Sequence, residues 1–230
     1  MILGARNSML SGKHWKNPYI TDGLVAMWDG EWNAGGGVHD ANATTWKQLV
    51  AGSQYGDITT GVLGVNIWDM RGKKCTLYGN FATPRTVELV VAGSVQDLTS
   101  YYPINFGQAR GDTSSGGLLF FRLYNNTLAY IYKAGSRNGT RGSVGTSARH
   151  LVAVITSSTG SRCYYNGVAA TGLSSLNYDL AANYDTVVFN FLAGSAQFFE
   201  WYALRIYSRA LTSNEVAANY AIDQARFNLP

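Results

Sequence analysis

The stretch Leu204-Arg205-Ile206-Tyr207-Ser208-Arg209-Ala210-Leu211-Thr212-Ser213-Asn214-Glu215 changes its period in mid-course. Its first half sets Leu204 and Ile206 on either side of Arg205, the alternation of a strand with one face in a core. Its second half ends in Thr212-Ser213-Asn214-Glu215. That spacing is a capping box, in which the Thr hydroxyl and the Glu carboxylate satisfy N–H groups at a helix start. Leu211, just before the cap, and Val216, at the fourth helical position, have the placing of a hydrophobic staple. Val216, Ala217, Tyr220 and Ala221 then share one face at helical spacing. A short helix over about 213–225 is therefore expected to pack on the sheet that the strand closes.

Upstream, the chain repeats one theme: short apolar or β-branched runs divided by Gly, Asn, Asp and Ser. Such runs occupy residues 23–28, 45–50, 62–68, 75–81, 86–91, 104–106, 117–124, 127–132, 150–156, 161–165, 186–192 and 198–207. The run 86–91 is bounded by Pro84 and Gly93 and is long enough for a central strand. Asn125-Asn126 suits a hairpin turn, and Asn166-Gly167 suits a tighter one because both residues tolerate positive φ. Residues 31–42 and 134–147 read as loops. Without helical patterns between them, these runs predict an all-β, two-sheet antiparallel sandwich over residues 20–230, with one short C-terminal helix. Residues 1–19, polar and basic with isolated Met, Leu and Trp, read as an arm that anchors the domain to a larger assembly.

Composition narrows the function classes. The 15 Tyr, 9 Phe and 6 Trp suit pleated, half-buried surfaces, and 4 Pro with 14% charged residues do not describe a disordered linker. The net charge of +4 is spread through the sequence without a run of four Lys or Arg, so no nucleic-acid footprint is expected. No run of 18 apolar residues predicts insertion into a membrane, and residues 1–15 lack the apolar centre of a secretory leader. Cys75 and Cys163 are too few for a disulfide framework or a zinc site, and whether they pair is open.

Three stretches resemble the laminin-G-like branch of the concanavalin A-like lectin and glucanase superfamily. Asp22-Gly23-Leu24-Val25-Ala26-Met27-Trp28-Asp29 is similar to the opening strand of these domains. His150-Leu151-Val152-Ala153-Val154 followed by Cys163-Tyr164-Tyr165-Asn166-Gly167-Val168 resembles their paired central strands. Leu204 through Glu215, with Asn219 and Tyr220, resembles the closing strand and its helix. The resemblance spans residues 22–223 and implies a jelly roll; activity does not follow from it, since such folds host many functions. The region 18–46, with Trp28-Asp29-Gly30 and His39-Asp40-Ala41-Asn42, also resembles laminin-G-like proteins of gut bacteria and their bacteriophages. That likeness implies a virion surface, a cell surface or the extracellular space as the place of action.

The glucanases of that superfamily set carboxylates at alternate positions of one strand, and glycoside hydrolysis needs two acids across the scissile bond. None of the 14 acids here falls so, and no catalytic residue is assigned. Should acids converge from distant positions, Glu88 and Glu200 are the ones to test as a hydrolase pair. Asp29, Asp40 and Asn42 offer oxygen ligands for a calcium ion, although the same side chains commonly cap turns. His150 fits a structural place at a strand start. Arg110-Gly111-Asp112 and three Asn-x-Thr sequons have no supporting context. For a sugar, the candidate stacking surfaces are Trp32, Tyr101, Tyr102, Tyr178 and Tyr184, each set in polar or Gly-rich sequence; Trp28, Trp68, Phe120, Tyr130 and Trp201 are assigned to the core. The expected function is non-catalytic recognition of a cell-surface glycan, or display on a virion or surface protein. The alternative is a purely structural decoration or fibre protein, which would imply a homo-oligomer.

Overall fold

In a computed structural model of the chain, the structure describes residues 17–34, 39–59, 62–63, 67–69, 75–93, 100–107, 117–124, 127–133, 136–141, 147–171, 175–192 and 200–230. The strands among them are β1 (Leu24–Asp29), β2 (Val62–Leu63), β3 (Trp68–Asp69), β4 (Cys75–Ala82), β5 (Thr86–Ala92), β6 (Ser100–Gly107) and β7 (Leu118–Tyr124). They continue with β8 (Thr127–Lys133), β9 (Ser136–Arg141), β10 (Arg149–Ile155), β11 (Ser161–Tyr165), β12 (Val168–Ala169), β13 (Asn183–Leu192) and β14 (Glu200–Tyr207). The single helix among the described residues is α1 (Ser213–Phe227). No described helix is long and apolar enough to cross a membrane.

Two antiparallel sheets result. One has eight strands in the order β12-β11-β10-β5-β14-β3-β2, with β1 also paired to β14. The other has six, in the order β4-β13-β6-β7-β8-β9. Both inner faces meet in an aromatic-rich core that holds Trp28, Trp46, Trp68, Phe106, Phe120, Tyr130, Phe189 and Trp201, all 0% exposed. Trp46 and Trp68 stack at 5.9 Å, and Trp28 meets Phe189 edge-on at 5.3 Å. Such geometries add to the area these rings remove from water. The core assignments made for Trp28, Trp68, Phe120, Tyr130 and Trp201 therefore hold, and the fold is the expected jelly-roll-like β-sandwich.

Local features follow the sequence closely in places. Thr212 caps α1, its hydroxyl accepting from the Glu215 N–H while the Glu215 carboxylate accepts from the Thr212 N–H. Leu211 and Val216 share one buried cluster with Val152 and Val154, which completes the staple. Asn166 and Gly167 both have positive φ, 48° and 73°, and close the tight β11–β12 hairpin. Elsewhere the reading needs correction. Residues 45–50 contribute only the bridge between Trp46 and Ile58. Residues 136–141, expected in a loop, form edge strand β9; the polar sequence Ser-Arg-Asn-Gly-Thr-Arg lacks the apolar alternation that marks a half-buried strand. Tyr19, counted with the arm, is 4% exposed and packs with Met27 and Trp32 on the outward side of the eight-stranded sheet. The rest of the arm, residues 1–16, lies outside the described residues, as do Asn125-Asn126 and Arg110-Gly111-Asp112.

Candidate functional site

Two outward sheet faces carry polar side chains, and they differ in kind. On the eight-stranded sheet, cross-strand register sets Glu88 of β5 opposite Arg205 of β14. Helix α1 lies over this pair. Arg205 Nε donates to Glu88 Oε2 at 2.7 Å, and its Nη1 donates to Asp223 Oδ1 at 3.1 Å. Asn219 Nδ2 donates to the same Glu88 oxygen at 2.9 Å and to the Tyr207 hydroxyl at 3.0 Å. The Tyr19 hydroxyl donates to Asp223 Oδ1 at 2.6 Å. Glu88, Arg205, Asn219, Asp223 and His150 are all 0% exposed.

Burial dominates the electrostatics there. It raises the Glu88 carboxyl above its ordinary range, with the Arg205 charge opposing. It lowers His150 from 6.5 to about 4, although Asp223 pulls the other way. Burial also works against the Arg205 charge, but Asp223 and Glu88 outweigh it. A second knot continues from this one: Arg226 donates to both Asp29 oxygens at 2.7 and 2.9 Å and to Glu31 at 2.7 Å. Its guanidinium sits 3.9 Å above the Trp32 ring. These acids hold α1 to the sheet, and Glu88, Asp223 and Asp29 are closed to solvent, so Glu88 cannot meet a polysaccharide. Glu200 instead stands half-buried opposite Asp69 in register.

The expected sugar platforms and metal ligands fall differently from their reading. Trp32, Tyr178 and Tyr184 are 6%, 5% and 3% exposed and are corrected to packing residues. Trp32 lies in a cluster with Tyr19 and Met27, and Tyr184 meets Phe106 edge-on at 5.8 Å. Polar neighbours in sequence hid this: Tyr178 and Tyr184 turn into the sandwich core, and Trp32 packs beside α1 under the Arg226 guanidinium. Tyr101 and Tyr102 fall on β6, opposite Leu192 and Phe191; their side chains lie outside the described residues. Asp29 is buried with both oxygens engaged by Arg226, while Asp40 and Asn42 are exposed. Asp40 Oδ1 accepts from the Asn42 N–H at 2.8 Å, a turn-capping bond. Asp29 is thus committed to Arg226, and no group of three or more His, Cys, Asp or Glu side chains placed to hold a metal ion occurs among the described residues.

The outward face of the six-stranded sheet is the other place, and sequence reading missed it. Ile104 and Phe106 point into the core, so Asn105 between them points away. By the same alternation, Val187 and Phe189 point in while Thr186 and Val188 point out. Register sets Val188 beside Asn105 and Thr76, and Thr186 beside Gly107 and Tyr78. These side chains therefore form one surface over β4, β13 and β6. Asn105 is 1% exposed, yet neither its amide nitrogen nor its oxygen has a hydrogen-bond partner among the described residues. The Thr186 hydroxyl, 3% exposed, also has none. At the strand edge Tyr78 is 78% exposed, the most exposed large hydrophobic side chain described. Asn80 and Asp185 are exposed beside it. Asn105 and Thr186 lie too deep to meet a ligand from outside; among the described residues, the open Tyr78 ring with Asn80 and Asp185 is what this face offers to a sugar.

No family model matches the chain, and no curated protein matches it. Solved structures do. The sialidase of Trypanosoma rangeli superposes with a TM-score of 0.64 at 14% identity, over 96% of this chain and 37% of the sialidase. The same enzyme in complex with sialic acid gives 0.59 at 15% identity, over 95% and 37%. The binding domain of botulinum neurotoxin serotype D gives 0.63 at 13% identity, over 89% and 53%. The chain thus spans about a third to a half of the proteins it resembles. At such identities the likeness defines a class by fold: a two-sheet, jelly-roll-like β-sandwich of the architecture found in these proteins.

Proposed function

We propose that this sandwich is a non-catalytic glycan-recognition module that acts on a bacteriophage virion or a bacterial surface. The observation that carries the reading is the edge of the six-stranded sheet, where the Tyr78 ring stands 78% exposed with Asn80 and Asp185 exposed beside it. An open aromatic ring with polar side chains next to it suits the apolar face and the hydroxyl groups of a sugar. Supporting it, Glu88 and Asp223 are spent on holding α1 and do not face substrate. Among the solved relatives by fold, one is a toxin binding domain and one holds sialic acid. The laminin-G-like resemblance to proteins of gut bacteria and their phages supplies the proposed location.

A glycan array probed with the purified protein, with calcium and with chelator, tests the reading. Specific binding that survives chelator is the expected result, with Tyr78→Ala weakening it. Binding lost in chelator would instead bring in a calcium ion and send attention to Asp40 and Asn42. Turnover of a polysaccharide abolished by Glu200→Gln, or no binding to any glycan, would overturn the proposal.

A further inference from the structure

Helix α1 is fastened to the eight-stranded sheet in two different ways. At its start the contact is apolar and capped: Leu211 and Val216 bury against Val152 and Val154, and Thr212 closes the first turn. Beyond Val216 the buried helix positions are Asn219 and Asp223. Asn219 holds Glu88 of β5 and Tyr207 of β14, while Asp223 accepts from Arg205 of β14 and from the Tyr19 hydroxyl. The N-terminal segment meets the helix a second time at Ile20, whose N–H donates to Asn219 Oδ1 at 3.1 Å. Residues 17–20 and the middle of α1 are therefore held by the same few polar groups.

One side chain inside this cluster contributes no bond to it. His150 of β10 is 0% exposed, and neither ring nitrogen has a hydrogen-bond partner among the described residues. Asp223 Oδ2 of α1 lies 3.6 Å from its Nε2, and Glu88 Oε1 of β5 lies 4.0 Å away. Arg205 of β14 works against a second positive charge there. Tyr220 of α1 covers the ring at 5.7 Å, and the neutral Asn166 carboxamide, beside the end of β11, accepts from the His150 backbone N–H. The closed helix thus keeps the imidazole dry and neutral. Lifting α1 takes Tyr220 and Asp223 away and lets water reach both nitrogens.

We infer that α1 and residues 17–20 form one acid-released latch on the eight-stranded sheet, with His150 as its trigger. A solvent proton taken up by the uncovered imidazole holds the latch open, because closing again would bury a cation beside Arg205. Burial brings the closed-state pKa from 6.5 down to about 4, whereas the uncovered ring titrates near its ordinary value. Between those values the open state binds a proton that the closed state refuses, so opening grows as pH falls. From about pH 7.5 to about 4.5, His150 alone multiplies the opening constant by about 70. Glu88 opposes it, since burial raises its carboxyl and lets the closed state take up a proton early. The latch lies on the other sheet from Tyr78, and the inference does not depend on glycan recognition.

Amide hydrogen exchange of the full chain, followed by NMR at about pH 7.5 and 4.5 and corrected for intrinsic rates, tests the latch. Amides of α1 and of Ile20 should open together, at least about tenfold more in acid, while β5, β10 and β14 stay closed. In His150→Phe the rise should vanish or reverse, because Glu88 then acts unopposed. In Glu88→Gln, which keeps an acceptor for Arg205 and Asn219 but takes up no proton, the rise should exceed that of the wild type. The wild type supplies a further measurement: of its three histidines, His150 should stay neutral down to about pH 5. An imidazole that titrates near its ordinary value while α1 is still protected would overturn the inference. So would no acid opening in the wild type, opening that leaves Ile20 closed or spreads to every strand at once, or an equal rise in His150→Phe.

Discussion

Replacing His150 with Phe should remove most of an acid sensitivity that this one side chain builds into the fold. His150 lies on β10 beneath α1, 0% exposed, with its ring stacked on Tyr220 at 5.7 Å. The charged groups that face it are Asp223 of α1 at 3.6 Å, Glu88 of β5 at 4.0 Å, and Arg205 of β14. Burial brings its pKa down from 6.5 to about 4. In the unfolded chain the ring titrates near its ordinary value. Between those two values the unfolded state therefore binds a proton that the folded state refuses. The contribution to stability is intact above about pH 6.5 and is lost as pH falls towards 4. Linkage converts the shift to about 2–3 kcal/mol between about pH 7.5 and 4.5. In a chain of this size that is a drop of about 5–10 °C in Tm.

Glu88 acts in the opposite sense, because burial raises its folded-state pKa and lets the folded protein take up its proton early. That effect is common to both proteins and largely cancels in the comparison. Phe keeps the volume and the ring stack, and neither His150 ring nitrogen has a hydrogen-bond partner among the described residues to lose. Melting followed by near-ultraviolet circular dichroism at the two pH values should show less than half the wild-type drop in His150→Phe. An equal drop in the two proteins would refute the assignment of acid sensitivity to this ring.

Arg205→Met leaves Glu88 and Asp223 buried without their shared cation and should destabilise by about 3–5 kcal/mol, read from the urea midpoint. A loss below about 1 kcal/mol would mean that the network is not what holds α1. Thr212→Ala removes the helix cap and should lower stability by about 1 kcal/mol, with faster amide exchange confined to the first turn of α1. Gly167→Ala meets two obstacles at once, a φ of 73° and a Tyr220 ring carbon 2.6 Å from the added Cβ. It should cost about 1–3 kcal/mol, and exchange in α1 should rise ahead of exchange in β5 and β14.

The strands, the capping box, the Asn166-Gly167 turn and the tryptophan core were legible because each rests on local chemistry: alternation, a side chain bonded to nearby backbone, a positive φ. The helix face was not. Apolar spacing pointed to Val216, Ala217, Tyr220 and Ala221, whereas the buried positions are Val216, Asn219 and Asp223. Ala217 and Ala221 are exposed. The spacing of the true face is just as helical, but two of its three residues are polar and so vanish from an apolar count. Their partners, Glu88 and Arg205, are 117 positions apart and meet only through strand register. Edge strand β9 was missed for a related reason, since a polar strand without apolar alternation carries no periodic signal.

Misplaced binding residues share that origin. Trp32, Tyr178 and Tyr184 sit among polar neighbours in sequence, and only tertiary packing turns them inward. Asn105 sits between Ile104 and Phe106 and reads as an accident in an apolar strand until the sheet assigns it a face. The two outward faces can then be weighed against each other. Beneath α1, the Glu88 and Asp223 carboxylates are tied to Arg205, Asn219 and Tyr19, and the helix is the partner. On the six-stranded sheet, Asn105 and Thr186 are also deep, but no described residue answers them. Both faces spend polar residues where an apolar one would pack more cheaply. The first has its return within the chain, in a helix locked to a sheet. The second has no such return among the described residues, and the exposed Tyr78 ring at its edge is what that face leaves open.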